Sequence, residues 1–356
     1  MTESHDETIL LQQQRICAFE AWKHTPQVRK LIGSGKYGTV YSVGNTYVVK
    51  RSSTSSQRPA MCKQAFREHI IGLLQTLTVL EACTPHIVMH YGVLLSANGP
   101  TLTGDMYMEH FSGSLVTFGK TCLHSSSDWI CLAFSVLSAC AALALLYGIS
   151  HNDLYPRNVL VRPDITTKSA VYACDGVLYA LSWPFLAVVT DFGVATSTKL
   201  MDQRVSPEVA DGISYMEVSA DFGVLAPSNH ILKYAGLSPF SRDLYTVLKW
   251  IHFSCTGLPL PPPDIRRWAY VSLQLLDKSR DTLQTAHGFM RYFHTIFSTS
   301  WLHSCGLPPI AANRDMPLSR AHFVFPLCDE KMNLLMRQAT TALRQLPITT
   351  CKPHPP

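Results

Sequence analysis

His151-Asn152-Asp153-Leu154-Tyr155-Pro156-Arg157-Asn158-Val159-Leu160-Val161 is a polar loop that runs straight into an apolar, strand-like tail. Asp153 and Asn158 sit five positions apart with Pro156 between them, so in a tight loop one carboxylate and one amide converge on a single pocket. A carboxylate placed there can take a proton from an attacking hydroxyl, and an amide oxygen can ligate a hard cation such as Mg2+. Just upstream, Trp129 to Ile149 is almost uncharged and mostly apolar, about the length a bilayer-spanning helix needs. Because it leads directly into His151, it reads as a helix buried in the middle of a large lobe, and no membrane span is expected.

Further pieces surround this loop in a definite order. Near the start, Val28 to Ile32 alternates loosely like a strand and meets Gly33-Ser34-Gly35-Lys36-Tyr37-Gly38-Thr39-Val40. Glycines at 33, 35 and 38 let backbone N–H groups close over a triphosphate, with Tyr37 capping the tip. The same spacing serves dinucleotide-binding folds, but there a helix follows the glycines. Here Val40 to Val43, Gly44-Asn45 and Thr46 to Lys50 read as a hairpin with a two-residue turn. Strand alternation puts Val48 and Lys50 on one face, Val48 to cover a flat base and Lys50 to reach phosphates.

Met61 to Leu80 then carries a helical pattern in which Glu68 is the acidic residue, and Pro85 to Tyr91 reads as the next strand. His86 and His90 within it lack a nearby third ligand, so metal binding is not expected there. Met106 to Gly113 is an apolar strand opening into a link. Leu186-Ala187-Val188-Val189-Thr190-Asp191-Phe192-Gly193 is a buried strand that delivers an Asp into a tight turn, a way to offer a carboxylate to a phosphate-bound metal.

Over roughly residues 28 to 255 these pieces resemble, in order, the protein kinases. The loop at His151 resembles H-R-D-L-x-x-x-N, Tyr47 to Lys50 resembles the V-A-I-K strand, and Asp191 to Gly193 resembles D-F-G. The resemblance implies an α+β, bilobal fold: a small β-rich lobe over about 26–110 and a larger, mostly helical lobe over about 111–346. A polar arm, 1–25, and a Pro-rich tail, 347–356, flank them. It implies ATP and Mg2+ as cofactors, with Ile32, Gly33, Ser34, Gly35, Lys36, Tyr37, Gly38, Val40 and Val48 enclosing the nucleotide. Met108 is placed at the back of the adenine pocket, backbone groups of Glu109 to Phe111 against the base, and Leu160 beneath it. Lys50 holds phosphates and pairs with Glu68, Asn158 and Asp191 bind Mg2+, and Asp153 is the catalytic base. His151, Phe192, Gly193 and Asp243 are implied as supports, Ser241 to Tyr245 resembling the buried helix whose Asp braces the catalytic loop.

A second Asp-Phe-Gly occurs at Asp221 to Gly223. It lacks the buried strand and precedes Ala226-Pro227-Ser228, which resembles A-P-E, so it falls in the substrate-docking part of the chain. Three departures stand out. Asn152 replaces an Arg that docks a phosphorylated segment, Ser228 replaces the Glu of A-P-E, and Tyr155 stands where Ser/Thr kinases carry a Lys. His-Asn-Asp-Leu also resembles the small-molecule phosphotransferases of kinase-like fold, and the eroded motifs fit a pseudokinase scaffold as well. The divergent pattern is similar to kinases of large DNA viruses, which implies an infected host cell.

The 356 residues suit two lobes around one cleft, and a 47% hydrophobic share excludes wholesale disorder. The net charge of +5 is spread without a dense basic block, so nucleic acid is not expected as a partner. Eleven scattered cysteines without a C-x-x-C pair imply reduced thiols and a cytoplasmic or nuclear setting. A protein substrate is expected. Trp268 to Leu276, Ala286 to Phe297 and Met332 to Leu346 read as the remaining helices.

Overall fold

Five strands near the start, β1 (Arg29–Gly35), β2 (Gly38–Val43), β3 (Tyr47–Ser55), β4 (His90–Asn98) and β5 (Thr101–Glu109), form an antiparallel sheet of order β1-β2-β3-β5-β4. The computed structural model describes residues 8, 13–18, 29–35, 38–44, 46–55, 59–98, 101–163, 167–200, 238–255, 257–279, 282–310, 321–325, 334 and 337. The register pairs Val40 with Lys50, Lys50 with Met106, and Val48 with Ser42 and Met108. These side chains therefore share one face, the one turned to the cleft between the lobes. In the first hairpin β3 starts at Tyr47, which pairs with Val43, and Thr46 N–H donates back to the Val43 carbonyl at 3.3 Å.

Helix α1 (Pro59–Leu80) lies against β3, β4 and β5. A Cβ at Gly72 would lie 2.5 Å from the His90 ring, so the imidazole fills room a helix side chain would otherwise take. Burial pushes His90 down to about 3, which keeps it neutral.

The second lobe is built around α3 (Ser126–Tyr147). Ser125 and Asp128 form a reciprocal capping box at its start, and Gly148, at φ +64°, ends it in a left-handed conformation. Its most apolar window has mean hydropathy 2.3, long and apolar enough for a bilayer, yet that window is wholly inside the protein. It is wrapped by β7 (Ile149–Ser150), β10 (Val177–Trp183), β11 (Leu186–Val189), α4 (Pro239–Phe253), α5 (Pro263–Lys278) and α6 (Ala286–Ile296). A helix apolar all round needs such a complete jacket. α2 (Leu115–Cys122), α7 (Thr299–Ser304), β6 (Gly113–Ser114), β8 (Val159–Arg162) and β12 (Thr196–Ser197) complete this part. The molecule is thus α+β and bilobal, a β-rich lobe above a mostly helical one.

Two regions depart from the sequence reading. β4 begins at His90, five residues after Pro85, because the preceding stretch serves the other lobe. Val88 N–H donates to the Val189 carbonyl at 3.1 Å and Val189 N–H to the His86 carbonyl at 2.9 Å. The His86 ring is likewise committed, to the Ala187 carbonyl at 2.8 Å and the Tyr172 hydroxyl at 2.5 Å. Second, the insertion before Asp191 is a hairpin, β9 (Thr167–Cys174) with β10, and β13 (Phe323–Phe325) pairs with β9 in parallel. Val324 N–H reaches the Ala82 carbonyl at 3.0 Å, so this strand also touches the end of α1.

Leu334 and Arg337 are helical, as the Met332 to Leu346 pattern predicts; the rest of that segment lies outside the described residues. So do most of the 1–25 arm, Lys36, Tyr37, the Asp221 to Gly223 and Ala226 to Ser228 motifs, and the 347–356 tail.

Candidate active site

The loop from His151 to Asn158 is held from below by α4. Asp243 accepts from His151 N–H at 2.7 Å and from Asn152 N–H at 2.8 Å, and Trp250 Nε1 donates to the Leu154 carbonyl at 3.2 Å. The His151 ring sits 4.4 Å from that of Phe192, its Nε2 2.9 Å from the Thr190 carbonyl, while its Nδ1 accepts from Asp153 N–H at 3.1 Å. With one nitrogen donating and the other accepting the ring is neutral, and burial lowers its pKa in the same sense. Phe192 and Asp243 are buried. Each residue expected as a support thus joins the loop to the Asp191 turn or to α4, Gly193 lying within that turn.

Pro156 opens a short 3-10 turn, Pro156–Asn158, which brings Asn158 back onto Asp153. Asn158 Nδ2 donates to the Asp153 carbonyl at 2.7 Å and to its carboxylate at 2.8 Å. The amide nitrogen is spent in this way, so the amide oxygen is the atom left for a cation. Burial raises Asp153 to about 6, with the Arg157 guanidinium opposing and the Asp191 charge adding. That value suits a group that must be ionised near neutrality and still attract a proton.

On the opposite wall, Lys50 Nζ lies 2.7 and 2.8 Å from the two oxygens of Glu68 and 3.0 Å from Asp191 Oδ1. Burial works against its charge, but the two carboxylates outweigh it and hold the ammonium firmly protonated. Asp191 has φ +63° and Asn152 φ +66°. Two non-glycine residues in the left-handed region, flanking one cleft, are backbone strain that surrounding contacts must sustain. Asp191 keeps 35% of its side chain exposed, unlike its partners.

The expected nucleotide contacts fall around this centre with some corrections. Val40, Val48 and Met108 line the cleft face of the sheet, and Leu160 lies between buried Val159 and Val161 on β8. Ile32 and Ser34 are exposed on β1. Of the loop glycines, Gly38 is required by packing: at φ +148°, a Cβ there would run into the Arg51 carbonyl, whereas one at Gly33 meets nothing within 4 Å. Gly35 ends β1 opposite Gly38. Glu109 departs most from expectation. Its N–H is taken by the Met89 carbonyl at 2.9 Å, so that amide is not free for a base, and its carboxylate is buried in an ion pair on the far side. Phe111 is buried, with the Arg162 guanidinium 4.5 Å over its ring.

Sequence reasoning missed Arg157. Its Nη2 lies 3.2 and 3.3 Å from the Asp153 oxygens and its guanidinium 5.1 Å over the Tyr155 ring. Tyr155 itself is buried. The four-residue spacing of an Asp and an Arg around a Pro turn was the available signal. Asn152 Nδ2 donates to the Val194 carbonyl at 3.2 Å and to Thr196 Oγ1 at 3.0 Å, tying the chain after Asp191 to the loop.

The donor set fits a phosphate-bound Mg2+. Asp153, Asp191 and Glu68 outnumber Lys50 and Arg157, which leaves a net negative cluster, and Asp191 and Asn158 each offer an oxygen. Among the described residues no group of three or more His, Cys, Asp or Glu makes a self-sufficient metal cage; Mg2+ shared with phosphates needs only one or two carboxylates.

No protein-family model matches the chain, and no curated protein matches it. No comparison therefore supports the viral resemblance. Among solved structures the chain is similar to the crystal structure of Rad53 1-466 in complex with AMP-PNP, at 20% identity and a TM-score of 0.42. The match covers 74% of this chain and spans 60% of the length of that one.

Proposed function

We propose that this chain is an ATP- and Mg2+-dependent kinase that transfers a γ-phosphate to Ser or Thr hydroxyls of a protein substrate. The observation that carries the reading is the convergence of Lys50, Glu68, Asp191, Asn158 and Asp153 in one cleft between the lobes. Lys50, fixed by Glu68, supplies a permanent positive charge toward the phosphates. Asp153 orients the acceptor hydroxyl and takes its proton, and Arg157 beside it offsets charge on the transferring group. Asp191 and Asn158 would hold Mg2+, which would supply charge neutralisation at the phosphates. Catalysis on this reading is positioning and charge neutralisation, with no covalent enzyme intermediate. An intracellular setting, cytoplasmic or nuclear, belongs to the same proposal, since Mg-ATP is supplied there.

Transfer of labelled γ-phosphate to basic and casein-like proteins, with small alcohols as alternatives, tests it. Label on protein Ser or Thr is expected, falling about 10²–10⁴-fold in Asp153→Asn while nucleotide binding persists. Label on an alcohol alone would mean a small-molecule phosphotransferase, and binding without transfer a scaffold.

A further inference from the structure

Residues 13–18 form a helical turn, and from it Arg15 enters the protein with only 1% of its side chain exposed. Nε and Nη2 make a two-point contact with the Glu109 carboxylate at 2.9 and 2.7 Å. Nη1 donates to the Pro85 carbonyl and Nη2 to that of Ile87, both at 2.7 Å. Glu109 closes β5 and leads into the link between the lobes. Its carboxylate also receives Arg162 Nη2 from β8 at 3.3 Å, and the same nitrogen donates to the His110 carbonyl.

Strand alternation turns Met108 toward the cleft and Glu109 away from it, so Arg15 grips the link from the side opposite the nucleotide. An exposed pair would be loose and screened. This one is dry, forked and joined to backbone carbonyls, an arrangement whose fixed directions specify geometry. On one side it fixes the carbonyls of Pro85 and Ile87, and on the other, through Glu109 and Arg162, the backbone at residues 109–110.

We propose that Arg15 is a positioning residue for nucleotide binding, fixing through Glu109 the stretch of backbone that meets the base. The inference rests on the kinase reading and deepens it, making a segment outside the two lobes part of the nucleotide site. Its signature is selectivity, because the phosphate side of the cleft depends on Lys50, Asp191 and the glycine loop and not on Arg15.

The test titrates adenosine and Mg-tripolyphosphate separately into the full chain and into Arg15→Met, with melting temperatures recorded for both. The expected result is adenosine affinity weakened about tenfold with tripolyphosphate affinity unchanged, and a smaller loss in the same sense for Arg15→Lys, which keeps charge but not the fork. Should Arg15→Met fail to fold, Arg15→Lys carries the comparison. Equal losses of both ligands, or a lower melting temperature with no loss of adenosine affinity, would overturn the inference. A wild-type chain that binds neither ligand, or tripolyphosphate alone, would overturn the kinase reading and the inference with it, and is recognised before any variant is made.

Discussion

On the lower side of the cleft the Asp153 loop is fixed by buried partners from α4, from the end of β11 and from β12, whereas on the upper side Gly38, at the start of β2, lies close against the backbone of β3. Below, hydrogen bonds are made by groups almost entirely removed from water: Asp243, His151 and Asn152. Above, Leu31 and Ile32 keep more than half their surface in solvent, and there is open space where a Gly33 side chain would go. On the kinase reading proposed above, groups that act on a proton and a phosphate need fixed geometry before the substrate arrives. A segment that admits and releases a nucleotide would not. The left-handed backbone at Asn152 and Asp191 belongs with the rigid side, where enough contacts exist to sustain it.

Asp243→Ala should break the rigid side most deeply. It strands the N–H groups of His151 and Asn152 in a buried site, and each orphaned group costs about 1–3 kcal/mol, so a loss of about 2–6 kcal/mol is expected in urea titration. Asp243→Asn, keeping one acceptor, should lose about half of that. A loss under about 1 kcal/mol for Asp243→Ala would mean the loop is not held from α4.

The next effect is electrostatic. The folded-state carboxyl of Asp153 is raised by burial to about 6, above its unfolded range, so its ionisation works against folding as pH rises through 6. Asp153→Asn should therefore melt higher than wild type at pH 8, by about 2–3 kcal/mol in stability, and show little difference near pH 4. Transfer by the wild type should fall about tenfold per pH unit below 6 and stay level just above it. An acid limb displaced to pH 4 would show that Asp153 is better solvated than its burial indicates.

The smallest effects sharpen the upper side. Gly38→Ala meets the Arg51 carbonyl in a conformation L-residues avoid and should cost about 1–3 kcal/mol. Gly33→Ala meets nothing and should stay within about 0.5 kcal/mol. Equal costs at both positions would mean that the close approach at Gly38 is not what holds the upper side.

Much of this centre was legible in the sequence because its parts are carried by local patterns in a fixed order. Lys50 after an apolar run in β3, Glu68 on a helix, Asp153 and Asn158 around a Pro turn, and Asp191 after a buried strand come together in one cleft. The α3 pattern was legible too, its apolar surface having no solvent-facing side. What escaped depends on partners far away in the chain. Arg15 and Glu109 are 94 residues apart, and nothing in the pattern around either marks the other. The β9–β13 pairing is parallel and distant, so no hairpin turn announces it. Arg157 escaped for another reason: its role depends on how a 3-10 turn rotates one side chain, and spacing alone leaves that open.

The Val324 to Ala82 hydrogen bond and the β13 to β9 pairing also set an order of events in time. At synthesis rates of about 5–20 residues per second, the turn after α1 emerges roughly 10–50 s before the strand that closes against it. The Ala82 carbonyl waits for that whole interval, and β9 presents an unpaired edge for its last part, roughly 7–30 s. The sheet and α1 can form early from nearby contacts, but the joint between the lobes is completed only when the late strand arrives. The contacts of this three-residue strand with β9 and with Ala82 are therefore among the last in the described residues that synthesis makes available.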